Sequence, residues 1–244
     1  MDGPTIEKVQ ATGRHSSRYV GQAGEQYFRW QSGQTKAAAS LIYPKIQPLV
    51  SPGDDLLDFG CGSGELLSRL PGRSKVGVDV NEAALAEARG RGLEVYRSLA
   101  ELPAAKRFDV VLSNHCLEHV PYPIAALREI RERLRPGGRL ILCLPIDDWR
   151  YQRRYDPDDI NHHLHTWTPL LLGHTLAEAG FEVVSMRILT QAWPRRFERW
   201  RAILPAALWE FLCFLGGVIR KRRSLLAVAT KPGGEKQTVL SDER

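Results

Sequence analysis

Short apolar runs alternate with amphipathic stretches along most of this 244-residue chain. Leu56, Leu57 and Phe59 form the first run, Val76-Gly77-Val78 the second, Leu93–Tyr96 the third, Phe108–Leu112 the fourth and Arg139–Pro145 the fifth. Phe181–Ile188 and Ser224–Thr230 follow. Short apolar runs bounded by turn residues read as buried strands. Between them the spacing turns helical. Residues 81–89 are amphipathic, Pro123–Leu134 puts Ile124, Leu127, Ile130 and Leu134 on one face, and Pro169–Ala179 ends at Gly180. Asn81 and Thr168 stand where N-caps are expected. Ahead of the first strand, Tyr19–Leu49 predicts helix in two pieces, Glu25–Gln31 and Thr35–Leu49, divided at Gly33. Strand and helix in alternation predict an α/β fold.

One junction stands out. Leu56-Leu57-Asp58-Phe59 runs directly into Gly60-Cys61-Gly62-Ser63-Gly64-Glu65, which opens a helix. Glycines let a chain turn tightly and let a ligand touch bare backbone, and a helix N-terminus presents free N–H groups to the same spot. The spacing is G-x-G-x-G, not the G-x-G-x-x-G of dinucleotide sites, and Glu65 disfavours a pyrophosphate there. Asp79 ends the second strand, about 20 residues on, where an acidic side chain can accept from both hydroxyls of a ribose.

Strand, Asp58, glycine turn, helix, strand and Asp79 together resemble the class I S-adenosylmethionine-dependent methyltransferases. The resemblance continues through Phe108–Asn114, Leu117-Glu118-His119-Val120 and Leu134–Leu140, and covers roughly residues 53 to 190. It implies a Rossmann-like, doubly wound sheet of seven strands, mostly parallel with an antiparallel last strand, and S-adenosyl-L-methionine as cofactor. By position it implies cofactor contacts from Asp58, Gly60, Cys61, Gly62, Gly64, Asp79, Val80 and Asn114. The family's acidic adenine ligand after the third strand is absent; Ser98 and Leu99 hold that place, so their backbone is expected to serve. The organisation expected is a helical cap over 1–50, a cofactor-binding core over 51–190, an apolar and basic helical insertion over 191–223, the last core strand over 224–231 and a disordered tail over 232–244.

The net charge of +6 changes this picture in one place. Arg195, Arg196, Arg199, Arg201, Arg220, Lys221, Arg222 and Arg223 flank a very apolar stretch, Ile203–Ile219, which Pro205 and Glu210 interrupt. A spanning helix needs about 20 apolar residues, so the stretch reads either as a lid packed on the domain or as a helix lying on an anionic membrane surface. A nucleic-acid role is disfavoured, because no aromatic platform accompanies the charge. Cys61, Cys116, Cys143 and Cys213 are scattered, and the N-terminus is polar. Both point to a reduced, cytoplasmic protein, at most peripheral to a membrane.

For the chemistry, ligands bind beyond the carboxyl ends of strands in open α/β sheets, so His115, after the fourth strand, is the first candidate for positioning the acceptor or taking its proton. His162, His163 and His165 lie in a long loop rich in acids and aromatics and form the second group. Tyr27, Phe28 and Trp30 read as packing or as a lid over the site. His115, Glu118 and His119, at i, i+3 and i+4, could share a face that one of those loop histidines completes as a metal site. The site is nonetheless read as using no metal. The function expected is methyl transfer to a small-molecule, saccharide or lipid-linked acceptor, at oxygen. The alternatives are a metal-dependent RNA 2′-O-methyltransferase, which the Glu118-His119 pattern resembles in part, and a non-catalytic cofactor-binding scaffold.

Overall fold

The computed structural model describes residues 16–148, 150, 152–192 and 203–233. The sequence readings on Trp149, Tyr151, Arg195, Arg196, Arg199 and Arg201, on the first 15 residues and on 234–244 lie outside the described residues. The strands are β1 (Asp55–Phe59), β2 (Ser74–Val78), β3 (Glu94–Tyr96), β4 (Phe108–Asn114), β5 (Leu134–Ile146), β6 (Glu182–Thr190) and β7 (Arg223–Thr230). They form one sheet in the order β3-β2-β1-β4-β5-β7-β6. β7 runs antiparallel to both of its neighbours; the pairs β1–β2, β1–β4, β2–β3 and β4–β5 are parallel. The strand order therefore reverses between β1 and β4, and a crevice opens there at their carboxyl ends.

Both faces of the sheet are covered, and the period of two decides which side chain goes where. On one face Leu57, Val111, Leu140, Leu142, Leu225 and Ala227 pack against α4 (Pro123–Arg133) and α5 (Pro169–Glu178) through Leu127, Ile130, Leu172 and Leu176. On the other, Leu56, Val110, Leu112, Ile141, Cys143 and Leu226 pack against α1 (Gly21–Ile46) and α2 (Glu65–Arg69) through Ala39, Ile42, Ile46, Leu66 and Leu67. Each such fully buried leucine contributes about 2 kcal/mol. α3 (Glu82–Gly90) follows β2; Asn81 caps it by accepting from Ala84 N, and Thr168 caps α5 by accepting from Leu171 N, as their positions predict.

The structure corrects two expected boundaries. Gly33 does not divide the first helix, which runs unbroken from Gly21 to Ile46 and also contains Pro44. A mid-helix glycine costs about 1 kcal/mol, and burial of Ala37, Ala39, Ile42 and Ile46 outweighs it. β5 begins at Leu134 rather than Arg139. Pro136-Gly137-Gly138 lies past the end of α4 and stays in the ladder, because Gly137 N donates to Lys231 O and Lys231 N to Gly138 O, both at 2.9 Å.

The insertion forms α6 (Ala206–Ile219), packed against the 190–192 segment after β6. A Cβ on Gly217 would lie 2.4 Å from Gln191 N, so only glycine allows this approach. Ala192 N donates to Cys213 O at 2.9 Å, and Lys45 pairs with Glu210 at 3.1 Å. Trp209 and Cys213 are buried; Leu208, Phe211, Phe214, Leu215, Val218 and Ile219 are exposed.

Candidate active site

The glycine turn is held by backbone bonds and one carboxylate. Gly60 N and Cys61 N both donate to Val78 O, at 2.8 and 3.1 Å, and Gly62 N donates to Asp79 Oδ2 at 2.8 Å. The other Asp79 oxygen accepts from Asn81 N at 2.9 Å. A carboxylate offers about four lone-pair directions, so Asp79 keeps capacity for a ligand. Gly60 has φ +83°, and a Cβ there would lie 2.4 Å from the Cys116 side chain. Gly62, at φ +52°, faces open space, so a Cβ would project into the cavity instead.

That cavity has a volume of about 720 Å³ and lies at the reversal between β1 and β4. Of the residues expected to hold the cofactor, Gly60, Gly62, Asp79, Val80, Ser98, Leu99 and Asn114 line it. Asp58, Cys61 and Gly64 are not part of the lining. Asp58 is buried and its Oδ1 has no hydrogen-bond partner. Cys61 sits beneath Gly77, and Gly64 packs on Leu93 and Ala88 at the start of α2. Tyr27 and Phe28 of α1 wall the cavity from above, while Trp30 is exposed and outside its lining. Asn81 Nδ2 donates to Gly24 O at 2.7 Å and fastens α1 there. Bare glycine backbone, a carboxylate with free lone pairs and the partnerless Asn114 Oδ1 fit a ligand that carries ribose hydroxyls and an amino group.

Beyond β4 the chain turns through His115, a non-glycine residue at φ +53°, into the short turn Leu117–His119. His115 lines the cavity and its Nδ1 lies 3.4 Å from Glu118 Oε1. Glu118 is fully buried, with no hydrogen bond to either carboxylate oxygen. Its backbone carbonyl accepts from Leu164 N and His165 N, at 2.9 and 3.1 Å, which brings the histidine loop over the turn. The three loop histidines then part company. His163 Nδ1 is 2.8 Å from Asp147 Oδ2, and its ring lies edge-on to that of His119 with centroids 4.9 Å apart. His165 Nε2 bonds Val120 O at 3.0 Å. His162 takes a positive φ of 46°, and its backbone N–H bonds Asp159. Tyr19, unmarked by any pattern in the sequence, places its hydroxyl 2.8 Å from His119 Nδ1 and donates to Asn161 O.

Burial pushes the Asp58 carboxyl up to about 8, and the charge of Asp79 adds to it. Burial also raises Asp79, against the backbone donors that stabilise its charge. Burial opposes a charge on His115, but Cys143 and Glu118 outweigh it and lift its pKa to about 10. Its side chain is 43% exposed, so water shares in solvating that charge. An imidazole held protonated is a poor base near neutral pH. Burial would raise Glu118, yet the neighbouring His115 and His119 bring it below the usual range.

A family model described as a methyltransferase domain matches residues 30–186, more than half of the chain. The chain belongs to that family. S-adenosyl-L-methionine is the cofactor that goes with this methyltransferase fold. Among curated relatives of this methyltransferase, the ubiquinone biosynthesis O-methyltransferase of Cereibacter sphaeroides (strain KD131) is 40% identical over 111 residues, which are 41% of this chain and 44% of the relative. The tRNA U34 carboxymethyltransferase of Tolumonas auensis is 30% identical over 162 residues, 59% of this chain and 50% of the relative. The alignments thus span about half the length of these relatives. Among solved structures, phosphoethanolamine N-methyltransferase 2 of Haemonchus contortus in complex with S-adenosyl-L-methionine superposes with a TM-score of 0.58 at 16% identity, covering 88% of this chain and 58% of that one. A SAM-dependent methyltransferase of Thermotoga maritima gives 0.56 at 20% identity, covering 85% and 94%. At such identities these two show the fold.

Proposed function

We propose that the chain transfers a methyl group from S-adenosyl-L-methionine to an oxygen atom of a small-molecule acceptor. The glycine turn held by Asp79 at the edge of a 720 Å³ cavity carries the reading. The O-methyltransferase names of the first relatives favour oxygen. The cofactor supplies an electrophilic methyl on a sulfonium sulfur; the acceptor oxygen forms the new bond to carbon as the carbon–sulfur bond breaks, its electrons going to sulfur and the acceptor's proton leaving. The protein's task is to hold donor and acceptor in line. In this reading Gly60 and Gly62 offer backbone to the cofactor, Asp79 accepts from its ribose, and Ser98-Leu99 border the base. Asn114 and His115 face the reacting side, and Tyr27 and Phe28 keep water out. The O-methyltransferase names of the first relatives favour a small acceptor over RNA in this reading.

Calorimetric titration with S-adenosylhomocysteine tests the cofactor assignment; micromolar binding is expected, and no binding would sink it. A screen of hydroxylated ubiquinone-pathway intermediates, then saccharides and lipid-linked sugars, tests the reaction. Binding with no turnover on any acceptor would instead favour a non-catalytic scaffold.

The same reading extends to where the protein works. No described helix is long and apolar enough to cross a membrane. Yet α6 exposes Leu208, Phe211, Leu215 and Val218 at helical spacing, with Phe214 and Ile219 beside them, and Arg220, Lys221, Arg222 and Arg223 follow directly. An apolar face ending in four cations fits the interface of an anionic bilayer. Co-sedimentation with phosphatidylglycerol vesicles is expected and with phosphatidylcholine vesicles is not. Retention of binding in the double variant Phe211→Glu, Phe214→Glu would refute the surface.

A further inference from the structure

We propose that Glu118, His119 and His163 form a binding site for a divalent transition-metal cation of the zinc class. One ligand atom from each lies within 4.8 Å of the others. A tetrahedral ion with ligands at about 2.0–2.2 Å holds them about 3.4 Å apart, so the three need draw in by only about 1 Å.

The hydrogen bonds around the cluster bear on which ring nitrogens carry a lone pair. Tyr19 has a single hydroxyl proton and donates it to Asn161 O at 3.0 Å. The 2.8 Å bond between Tyr19 Oη and His119 Nδ1 must then be donated by the ring, which leaves the lone pair on His119 Nε2. That nitrogen lies 3.9 Å from Glu118 Oε1. Asp147 likewise accepts from His163 Nδ1 at 2.8 Å, which puts the lone pair of the neutral ring on His163 Nε2; Asp147 favours the protonated ring, so a cation there displaces a proton. Such carboxylate and hydroxyl partners orient metal-binding imidazoles and raise their basicity. Glu118 completes the set with two buried oxygens that have no hydrogen-bond partner. His115 Nδ1 approaches one of them at 3.4 Å without forming a hydrogen bond. Three possible ligand atoms therefore lie together, and the buried Glu118 carboxylate, whose one charged neighbour is His115 at 3.4 Å, would meet a bound cation with an oxygen that has no hydrogen-bond partner.

Two imidazoles and one carboxylate suit zinc, iron or cobalt better than magnesium or calcium, which prefer all-oxygen cages. Three protein ligands leave a position open. His119 also lines the main cavity, so the cluster borders the space an acceptor would occupy. Cation binding stands by itself. Its use, lowering the pKa of an acceptor hydroxyl so that its proton leaves before or with methyl transfer, rests on the reading of the previous subsection.

The test is titration of the chelator-treated full chain with Zn²⁺ and, separately, Co²⁺. One equivalent is expected to bind, with Co²⁺ giving the visible bands of a low-coordinate nitrogen–oxygen site. His163→Ala is expected to weaken binding at least 10-fold, and Glu118→Gln likewise. Should the buried Glu118 variant not fold, the half-buried His163 variant decides alone. His174→Ala, a change at an exposed histidine outside the cluster, controls for surface binding and is expected to change nothing. No stoichiometric binding, or equal affinity in wild type and His163→Ala, would overturn the proposal. Titration of the same samples with S-adenosylhomocysteine separates the two readings. Homocysteine-product binding without metal binding removes the metal site alone; metal binding without it removes the methyl-transfer reading alone.

Discussion

Gly62 N donates to the carboxylate of Asp79 across 17 residues of chain, at 2.8 Å. The bond joins the turn after β1 to the end of β2, so the residue placed to meet a ribose also sets the backbone that meets the rest of the cofactor. Asp79→Ala removes both and is expected to weaken S-adenosylhomocysteine binding by about 1–3 kcal/mol. Calorimetry reads this directly, and unchanged affinity would remove Asp79 from the site.

Two neighbouring glycines should fail in different ways. Gly60→Ala forces a methyl group to within 2.4 Å of Cys116 at φ +83°, and a loss of about 2–3 kcal/mol in urea unfolding is expected. Gly62→Ala meets nothing and should cost about 1 kcal/mol of stability for its positive φ, yet weaken the cofactor more than tenfold. Equal stability losses would contradict the geometry.

Asp58 should make stability depend on pH. Its folded pKa is raised from 3.8 to about 8 by burial and by Asp79, with the thiols of Cys61 and Cys116 also near enough to feel its charge. A raised folded pKa means that its contribution is complete below the unfolded pKa and is lost as pH climbs through about 8. Asp58→Asn should therefore gain on the wild type between pH 5 and pH 9 (both roughly set by that window). A pH-independent difference would show that the folded carboxyl is already ionised at neutral pH.

Tyr19→Phe deletes the hydroxyl that links His119 to the Asn161 carbonyl. Two polar groups lose a partner, and about 1–2 kcal/mol of stability should go with them. The tautomer of His119 is no longer fixed, so Zn²⁺ affinity should drop about tenfold. Stability loss with full Zn²⁺ affinity would leave Tyr19 a packing residue only.

The sheet and the glycine turn were legible because both rest on local rules. Leu56 and Leu57 must go to opposite faces, and the glycines must bend the chain wherever it goes. The unbroken α1 was not legible, because Gly33 argues locally for a break and the burial that overrides it comes from strands far along the chain. The same holds for the start of β5, whose partner Lys231 lies 93 positions beyond Gly138. At the site, spacing placed Glu118 and His119 on one turn but could not rank His162, His163 and His165. Asp147 and Val120 decide that by where their oxygens stand. Tyr19 carried no signal, since a single tyrosine ahead of a helix has no period to belong to.

Tyr19, Gly24, Tyr27 and Phe28 belong to one short piece of chain. It is clasped to the core at Asn81 and to the histidine loop through Tyr19, and a Cβ on Gly24 would collide with Tyr19 O at 2.3 Å. Any swing of that piece that lifts Tyr27 and Phe28 to let a cofactor pass also pulls the Tyr19 hydroxyl from His119. Admission of the donor and the readiness of the histidine cluster are then two ends of one lever. By reciprocity, a cation that tightens the cluster through this lever must tighten donor binding by the same factor.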